Sequence, residues 1–318
     1  AEDNLRLTAM AEAFPDRLEH SKNILSRQLG DKFQVDDDHS FVGFDAYKEL
    51  LATDIDVVLL CTPPHFRPAM FKEAIAQNKH VFCEKPMALN SVDCRRMSEA
   101  AQQSGKTLQV GHCIRFWPEY VEAKEIIDSQ KYGKVMAATF QRLSHTPTWS
   151  WDNCFLDGKR SGGAMLDLHI HDTDYVQYVF GMPKAVFSQG VIGPSQDYDH
   201  CVTQYLYDNE SVITAEGGWI MAPGFGFEMN FKIMLEEATL IYSSAQKPTF
   251  RIYPKDGEMI KPDIPEGDGY SFEIKHFIEN ISGKKVPSVI TPEQSADSVK
   301  IIEAEKESIR TLEKTSIS

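Results

Sequence analysis

VVLLCTPPHFRPAMFKEAIAQNKHVFCEKPMALN, residues 57–90, decides the fold. The runs Asp56–Leu60 and His80–Cys83 are nearly continuous in apolar residues, as expected for strands covered by helices on both faces. Between them, residues 67–78 read as a helix, so the two strands are expected to run parallel around a crossover. The pattern extends in both directions. Upstream, residues 5–13 (LRLTAMAEA) read as a strand and 16–29 as a helix; downstream, 91–104 read as a helix and TLQVGH, 107–112, as a further strand. Residues 1–112 therefore read as an α/β doubly wound, Rossmann-like parallel sheet.

From residue 113 to 318 the texture changes to an α+β domain. Helices are expected near 118–131 and 164–180, and again at 268–281 and 292–315. Between them come strand-like runs at 134–143, 185–193, 201–208, 211–220, 227–235 and 238–244. Asp208 and Asn209 mark a hairpin turn between two of these, which predicts a large, mostly antiparallel open sheet. Thr291, Pro292 and Gln294 carry the signature of a capped helix start.

Composition narrows the function. With 33 Lys and Arg against 47 Asp and Glu, the net charge of −14 opposes a phosphate backbone, so no nucleic-acid partner is expected. No apolar run approaches the ~20 residues of a bilayer span, and the start has no signal-peptide pattern, which predicts a cytoplasmic protein without a membrane partner. The six cysteines form no CxxC pair; Cys61, Cys83 and Cys113 fall in apolar runs and are expected to be buried free thiols in a reducing compartment.

Several stretches could carry chemistry. Glu84, Lys85 and Pro86 follow a parallel strand at its carboxyl end, where open α/β sheets bind ligands. A partly buried Lys there can donate to a substrate hydroxyl. Thr62, Pro63 and His65 end the neighbouring strand and line the same crevice, although a Pro-rich turn is equally a structural stop. In SGGAMLDLHIHDTDYVQYVFG, residues 161–181, a helix starting after Gly163 would place Asp167, His171 and Asp174 on one face, suited to acid/base work. His169 and His171 would point to nearly opposite sides of that helix, so no bound metal is expected. Arg115 and Trp117 lie where the halves join, and Trp149, Trp151, Asp152 and Asn153 stand in a polar loop. Aromatic faces beside such polar groups suit a sugar-like ligand or serve as packing lids.

Taken in order and spacing, the acidic strand end at Glu12, the EKP motif, GHCIRFWPEY at 111–120 and SGGAMLDLHIHDTD at 161–174 resemble the Gfo/Idh/MocA oxidoreductases, the glucose-fructose oxidoreductase and inositol dehydrogenase group. The resemblance runs from about residue 5 to the C-terminus. It implies an NAD-dependent enzyme acting on a hydroxyl carbon of a sugar, cyclitol or polyol, with catalytic Lys85, Asp167 and His171. Glu12, Phe14, Arg17, Thr62, Pro63, His65, Glu84 and Lys85 would line the cofactor site. Arg115, Trp117, Trp151, Asp152 and His169 would face the substrate; His169 replaces a common Gly and reaches the pocket unless it lies on the opposite helix face. Glu12 favours NAD over NADP, because a 2'-phosphate would meet like charge. The resemblance also implies a homodimer or homotetramer through the C-terminal sheet.

Two alternatives remain: redox-neutral glycoside hydrolysis with transiently used NAD, and cofactor-free sugar binding. The chain holds no GxGxxG loop before Glu12. Ala1 is accordingly expected to be an artificial or incomplete start, with roughly 20 to 30 residues of strand and glycine loop ahead of it.

Overall fold

A computed structural model of the chain describes residues 5–317. Its first part runs β1 (Met10–Glu12), α1 (Pro15–Leu29), β2 (Ser40–Val42), α2 (Ala46–Leu51), β3 (Val57–Leu60), α3 (Arg67–Ala76), β4 (His80–Glu84), α4 (Ser91–Ser104) and β5 (Leu108–Gly111). All the strand pairs here are parallel: β1 with β2, and β3–β4–β5 as a second sheet in that order. The strand expected over 5–13 is shorter, with Leu7 making only an isolated bridge to Phe33. β2 and α2 fall within residues 30–55, where the sequence pattern predicts no element. The α4 helix starts as its sequence dictates: the Asn90 side chain accepts from the Asp93 backbone N–H at 2.9 Å.

Burial along β3 departs from the expectation. Val58 and Leu60 are buried, but Leu59 is 54% exposed and Cys61 is exposed too. The side chains alternate across the strand, so only one face of β3 meets a helix layer. Cys83, Cys94, Cys113 and Cys201 are buried, Cys154 is half-buried, and all six thiols are free.

The second part holds α5 (Pro118–Asp128), β6 (Val135–His145), a one-turn α6 (Gly158–Ser161) and a π-helical turn (Met165–His169) leading into α7 (Ile170–Phe180). Then follow β7 (Ala185–Ile192), β8 (Tyr198–Leu206), β9 (Val212–Met221), β10 (Phe227–Leu235), β11 (Ala238–Ser243), β12 (Phe250–Pro254), α8 (Gly269–Ile281), α9 (Pro292–Thr311) and β13 (Thr315–Ser316). The strands form one eight-stranded sheet, ordered β12–β11–β10–β6–β9–β8–β7–β13. It is antiparallel except for the pair β6–β9.

Two cores result. One lies between the inner face of this sheet and helices α5 and α7, where Tyr120 meets Tyr175, Phe231 and Tyr242 edge-on at centroid distances of 4.8, 5.0 and 5.4 Å. The other packs α3, α4 and β3–β5 against α9, whose Val299 and Ile302 join it while Ile301 joins the first. The C-terminal helix therefore ties the two layers together. Polar bonds reinforce the junction: Ser91 donates to Glu303 from its backbone N–H (2.8 Å) and its hydroxyl (2.6 Å), and Ser98 donates to Glu293 at 2.7 Å. Among the described residues, no helix is long and apolar enough to cross a membrane.

Candidate active site

Strand register sets the stage. Leu60 pairs with Cys83, and Glu84 with Gly111, so the residues after β3, β4 and β5 emerge side by side at one edge of the sheet. Those residues are Thr62, Lys85 and His112. Arg67, buried at the start of α3, fastens this edge: it donates to the carbonyls of Thr62 (2.7 Å), Glu84 (2.7 Å) and Pro86. Its burial is tolerable because three carbonyl oxygens satisfy the guanidinium.

Opposite this edge stands the segment 161–181. Gly162 and Gly163 both adopt positive φ (+82° and +70°), which lets the chain turn sharply out of α6. The expected single α-helix is divided: the π-helical turn Met165–His169 comes first, then α7. Lys85 Nζ reaches across to this turn, donating to the Asp167 carbonyl at 2.6 Å and to Asp167 Oδ1 at 3.1 Å.

His171, at the start of α7, is 8% exposed, and its Nδ1 is buried without a partner. Burial, reinforced by the charges of Lys85 and Arg142 and by His112, holds His171 well below the usual histidine range. The ring is therefore neutral at neutral pH and can accept a proton. His112 is also buried and is pushed down to about 4, mainly by burial, against the attraction of Asp174 at 3.4 Å.

Two buried ion pairs hold the helix on either side of His171. Arg142 of β6 donates to Asp172 Oδ2 at 2.8 Å, and Arg115 grips both oxygens of Asp174 at 2.8 Å. Arg115 also donates to the Val289 carbonyl (3.0 Å) and to Gln294 (2.7 Å). Burial opposes ionisation of Asp174, but Arg115 and then His112 keep its carboxyl below the ordinary value.

The structure thus brings Lys85, Asp167 and His171 together and places others elsewhere. Arg115, 2% exposed, is wholly engaged in that internal network. His169 is fully buried and faces Cys201 and Glu305, the far side of the helix. Trp117 packs edge-on against Tyr270 at 6.0 Å. Trp151 stacks on Phe14 at 4.1 Å, bringing a loop of the second layer onto the first, and Asp152 accepts from Arg160 at 3.1 Å. Glu12 ends β1, its Oε1 accepting from the Ala13 backbone N–H at 2.7 Å. Arg17 lies in the first turn of α1 with a buried, unpartnered Nε. Thr62 donates to Met70 Sδ, and His65 is exposed against the Phe66 ring. His112 and Arg67 were not foreseen. The signal for His112 was available, since it follows β5 as Lys85 follows β4.

Comparison with known proteins bears on this arrangement. The pattern described as oxidoreductase family, NAD-binding Rossmann fold (GFO_IDH_MocA) matches residues 6–112, and the GFO/IDH/MocA C-terminal domain matches residues 120–241. The chain belongs to the Gfo/Idh/MocA oxidoreductases. Within the family it is 27% identical to a Bacillus subtilis scyllo-inositol 2-dehydrogenase (NAD(+)), over 77% of this chain and 73% of that one. It is 29% identical to a Rhizobium meliloti inositol 2-dehydrogenase, over 87% and 81% respectively. A levoglucosan dehydrogenase solved with NADH and levoglucosan superposes with a TM-score of 0.82 at 20% identity, covering 98% of this chain and 90% of its own. That last likeness concerns the fold.

Proposed function

We propose that the protein is an NAD-dependent oxidoreductase that moves a hydride between the nicotinamide and a hydroxyl-bearing carbon of a sugar, cyclitol or related polyol. The observation that carries this reading is a buried, neutral His171 set opposite a Lys85–Asp167 pair at the carboxyl edge of a parallel sheet. Oxidising an alcohol requires a base for the O–H proton and a positive charge for the developing alkoxide. His171 supplies the first, accepting the proton on a ring nitrogen that burial keeps unprotonated. Lys85 supplies the second, donating from Nζ to the substrate oxygen. Asp167 holds the ammonium in place from its carboxylate and its carbonyl. When bound, NAD would supply the two-electron acceptor for the substrate hydride.

The residues fit such a cofactor. Glu12 ends a parallel strand where its carboxylate can accept from ribose hydroxyls and would repel a 2'-phosphate. Arg17 has an orphaned Nε close in sequence to it, and Thr62, Pro63 and Glu84 stand at the sheet's ligand edge. The Trp151 loop, laid on Phe14, covers this side with an aromatic face that suits a sugar ring. Relatives named as inositol dehydrogenases support the polyol substrate class. Association through the outward face of the large sheet, where Phe187, Val191 and Val202 are exposed, fits a homodimer or homotetramer.

The test is NADH formation by the full chain across a panel of inositols, aldoses and anhydrosugars. Activity on one polyol class that is lost in Lys85→Ala and His171→Asn supports the reading. Equal activity of Lys85→Ala and the parent would overturn the site.

A further inference from the structure

The π-helical turn presents a second group of residues on the side that faces away from Lys85. His169 of that turn, Cys201 of β8 and Glu305 of α9 are each 0% exposed, and one ligand-type atom from each lies within 4.8 Å of the others. The imidazole Nε2 is 3.2 Å from Glu305 Oε2, yet neither ring nitrogen nor that oxygen has a well-formed hydrogen bond. Three fully buried side chains converge on one point, the imidazole drawn to Cys201 and Glu305 but with neither ring nitrogen in a well-aligned hydrogen bond. Such groups are ordinarily hydrogen-bonded, so the convergence needs a cause.

We infer that His169, Cys201 and Glu305 form a structural Zn2+ site that fixes the turn carrying Asp167. The donor set is one nitrogen, one sulfur and one oxygen, the ligand types zinc takes. In a tetrahedral site with ligands at about 2.0–2.3 Å, neighbouring donor atoms stand roughly 3.3–3.6 Å apart. The 3.2 Å separation of Nε2 and Oε2 is close to that edge. A thiolate and a carboxylate together neutralise the dication, so the enclosed site carries no net charge. Three protein ligands leave the fourth position to a water.

The surroundings are built for these ligands. Glu305 Oε1 accepts from Thr173 Oγ1 at 3.2 Å, and that hydroxyl is bonded to Tyr205 at 2.9 Å; such outer contacts orient a metal-binding carboxylate. Gly217 lies beside Cys201 in the register of β8 and β9, and a Cβ there would come within 2.6 Å of the His169 ring. The glycine makes the room that the imidazole occupies.

The test uses untagged full chain produced in zinc-supplemented medium and dialysed without chelator. Metal analysis is expected to return close to one zinc per chain, and exchange with Co2+ is expected to give a thiolate-to-cobalt charge-transfer band. That band should vanish in Cys201→Ser and persist in Cys61→Ser, an exposed thiol outside the cluster. A strong chelator should lower the thermal midpoint of the parent and leave that of Cys201→Ser unmoved. Should Cys201→Ser fail to fold, the metal content and cobalt spectrum of the parent still decide. A parent without stoichiometric zinc and without a cobalt band would overturn the inference, leaving the cluster a metal-free imidazolium–carboxylate pair.

Discussion

Lys85 and Asp167 join the two layers of the molecule through a double contact, Nζ to the carboxylate at 3.1 Å and Nζ to the carbonyl of the same residue at 2.6 Å. The carbonyl contact survives any side-chain change at position 167. Lys85→Ala, which removes the charge beside the developing alkoxide, should lower kcat by about 10²–10³-fold. Asp167→Asn should cost roughly ten-fold or less, because the ammonium stays anchored through the backbone. Steady-state kinetics on the best polyol checks the order; a larger loss from Asp167→Asn would contradict it.

The pH profile follows from the depressed histidine His171. His171 stays neutral well below the usual histidine value, so kcat/KM for alcohol oxidation should hold level as pH falls through ~6.5 and decline only in more acidic solution. An enzyme with an ordinary base would decline from that point.

Stability should move in the same window. His112 is pushed down to about 4 in the folded chain, so the unfolded chain binds its proton first. The stabilisation from neutral His112 is complete above ~6.5 and is lost as pH falls toward ~4, with a ceiling on the order of 3 kcal/mol. Other buried groups also titrate in this range, so the parent curve alone is ambiguous. The difference between parent and His112→Gln in urea midpoint against pH isolates the effect; parallel curves would refute it.

The parts of this architecture written locally were legible. The helix starts at Asn90 and Thr291 are local side-chain chemistry, and the period of β6–β11 is local patterning. Lys85, Asp167 and His171 could be found because each sits at a position that topology makes significant: a strand end, or the first turns after paired glycines. What escaped depends on distant partners. Arg115 looked like a ligand residue because nothing near it in the chain shows that Asp174, Gln294 and Val289 consume its donors. His169 looked like a pocket residue because Cys201, Gly217 and Glu305 come from three separate elements. The π-helical turn itself has no periodic signature, and the edge exposure of Leu59 depends on which faces of β3 are covered.

Trp151 and Phe14, stacked at 4.1 Å with planes 28° apart, link the polar loop to the segment that follows β1. An aromatic pair contributes about 0.5–1.5 kcal/mol beyond burial, equivalent to a two- to ten-fold change in a binding constant. Trp151→Ala should therefore raise the Kd for NADH and the KM for polyol by that factor while leaving kcat nearly unchanged. Fluorescence titration with NADH and initial-rate kinetics measure the two. A large fall in kcat with unchanged binding would show that the loop acts on the chemistry instead.

Glu273 offers the converse of the histidines. Its carboxyl is 1% exposed, its Oε2 has no partner, and burial, then Glu84 and Asp268, push it up to about 9. Folding at neutral pH must protonate an acid that is ionised in the unfolded chain. The native state is therefore favoured by this group below ~4.5 and penalised progressively as pH rises toward ~9. Glu273→Gln keeps the shape and removes the proton uptake. It should stabilise the protein by on the order of 2–3 kcal/mol at neutral pH, with the gain shrinking toward zero near pH ~4.5. Urea unfolding of both proteins between those limits tests the sign, and a variant less stable than the parent at neutral pH would show that the carboxylate is ionised and held by a partner.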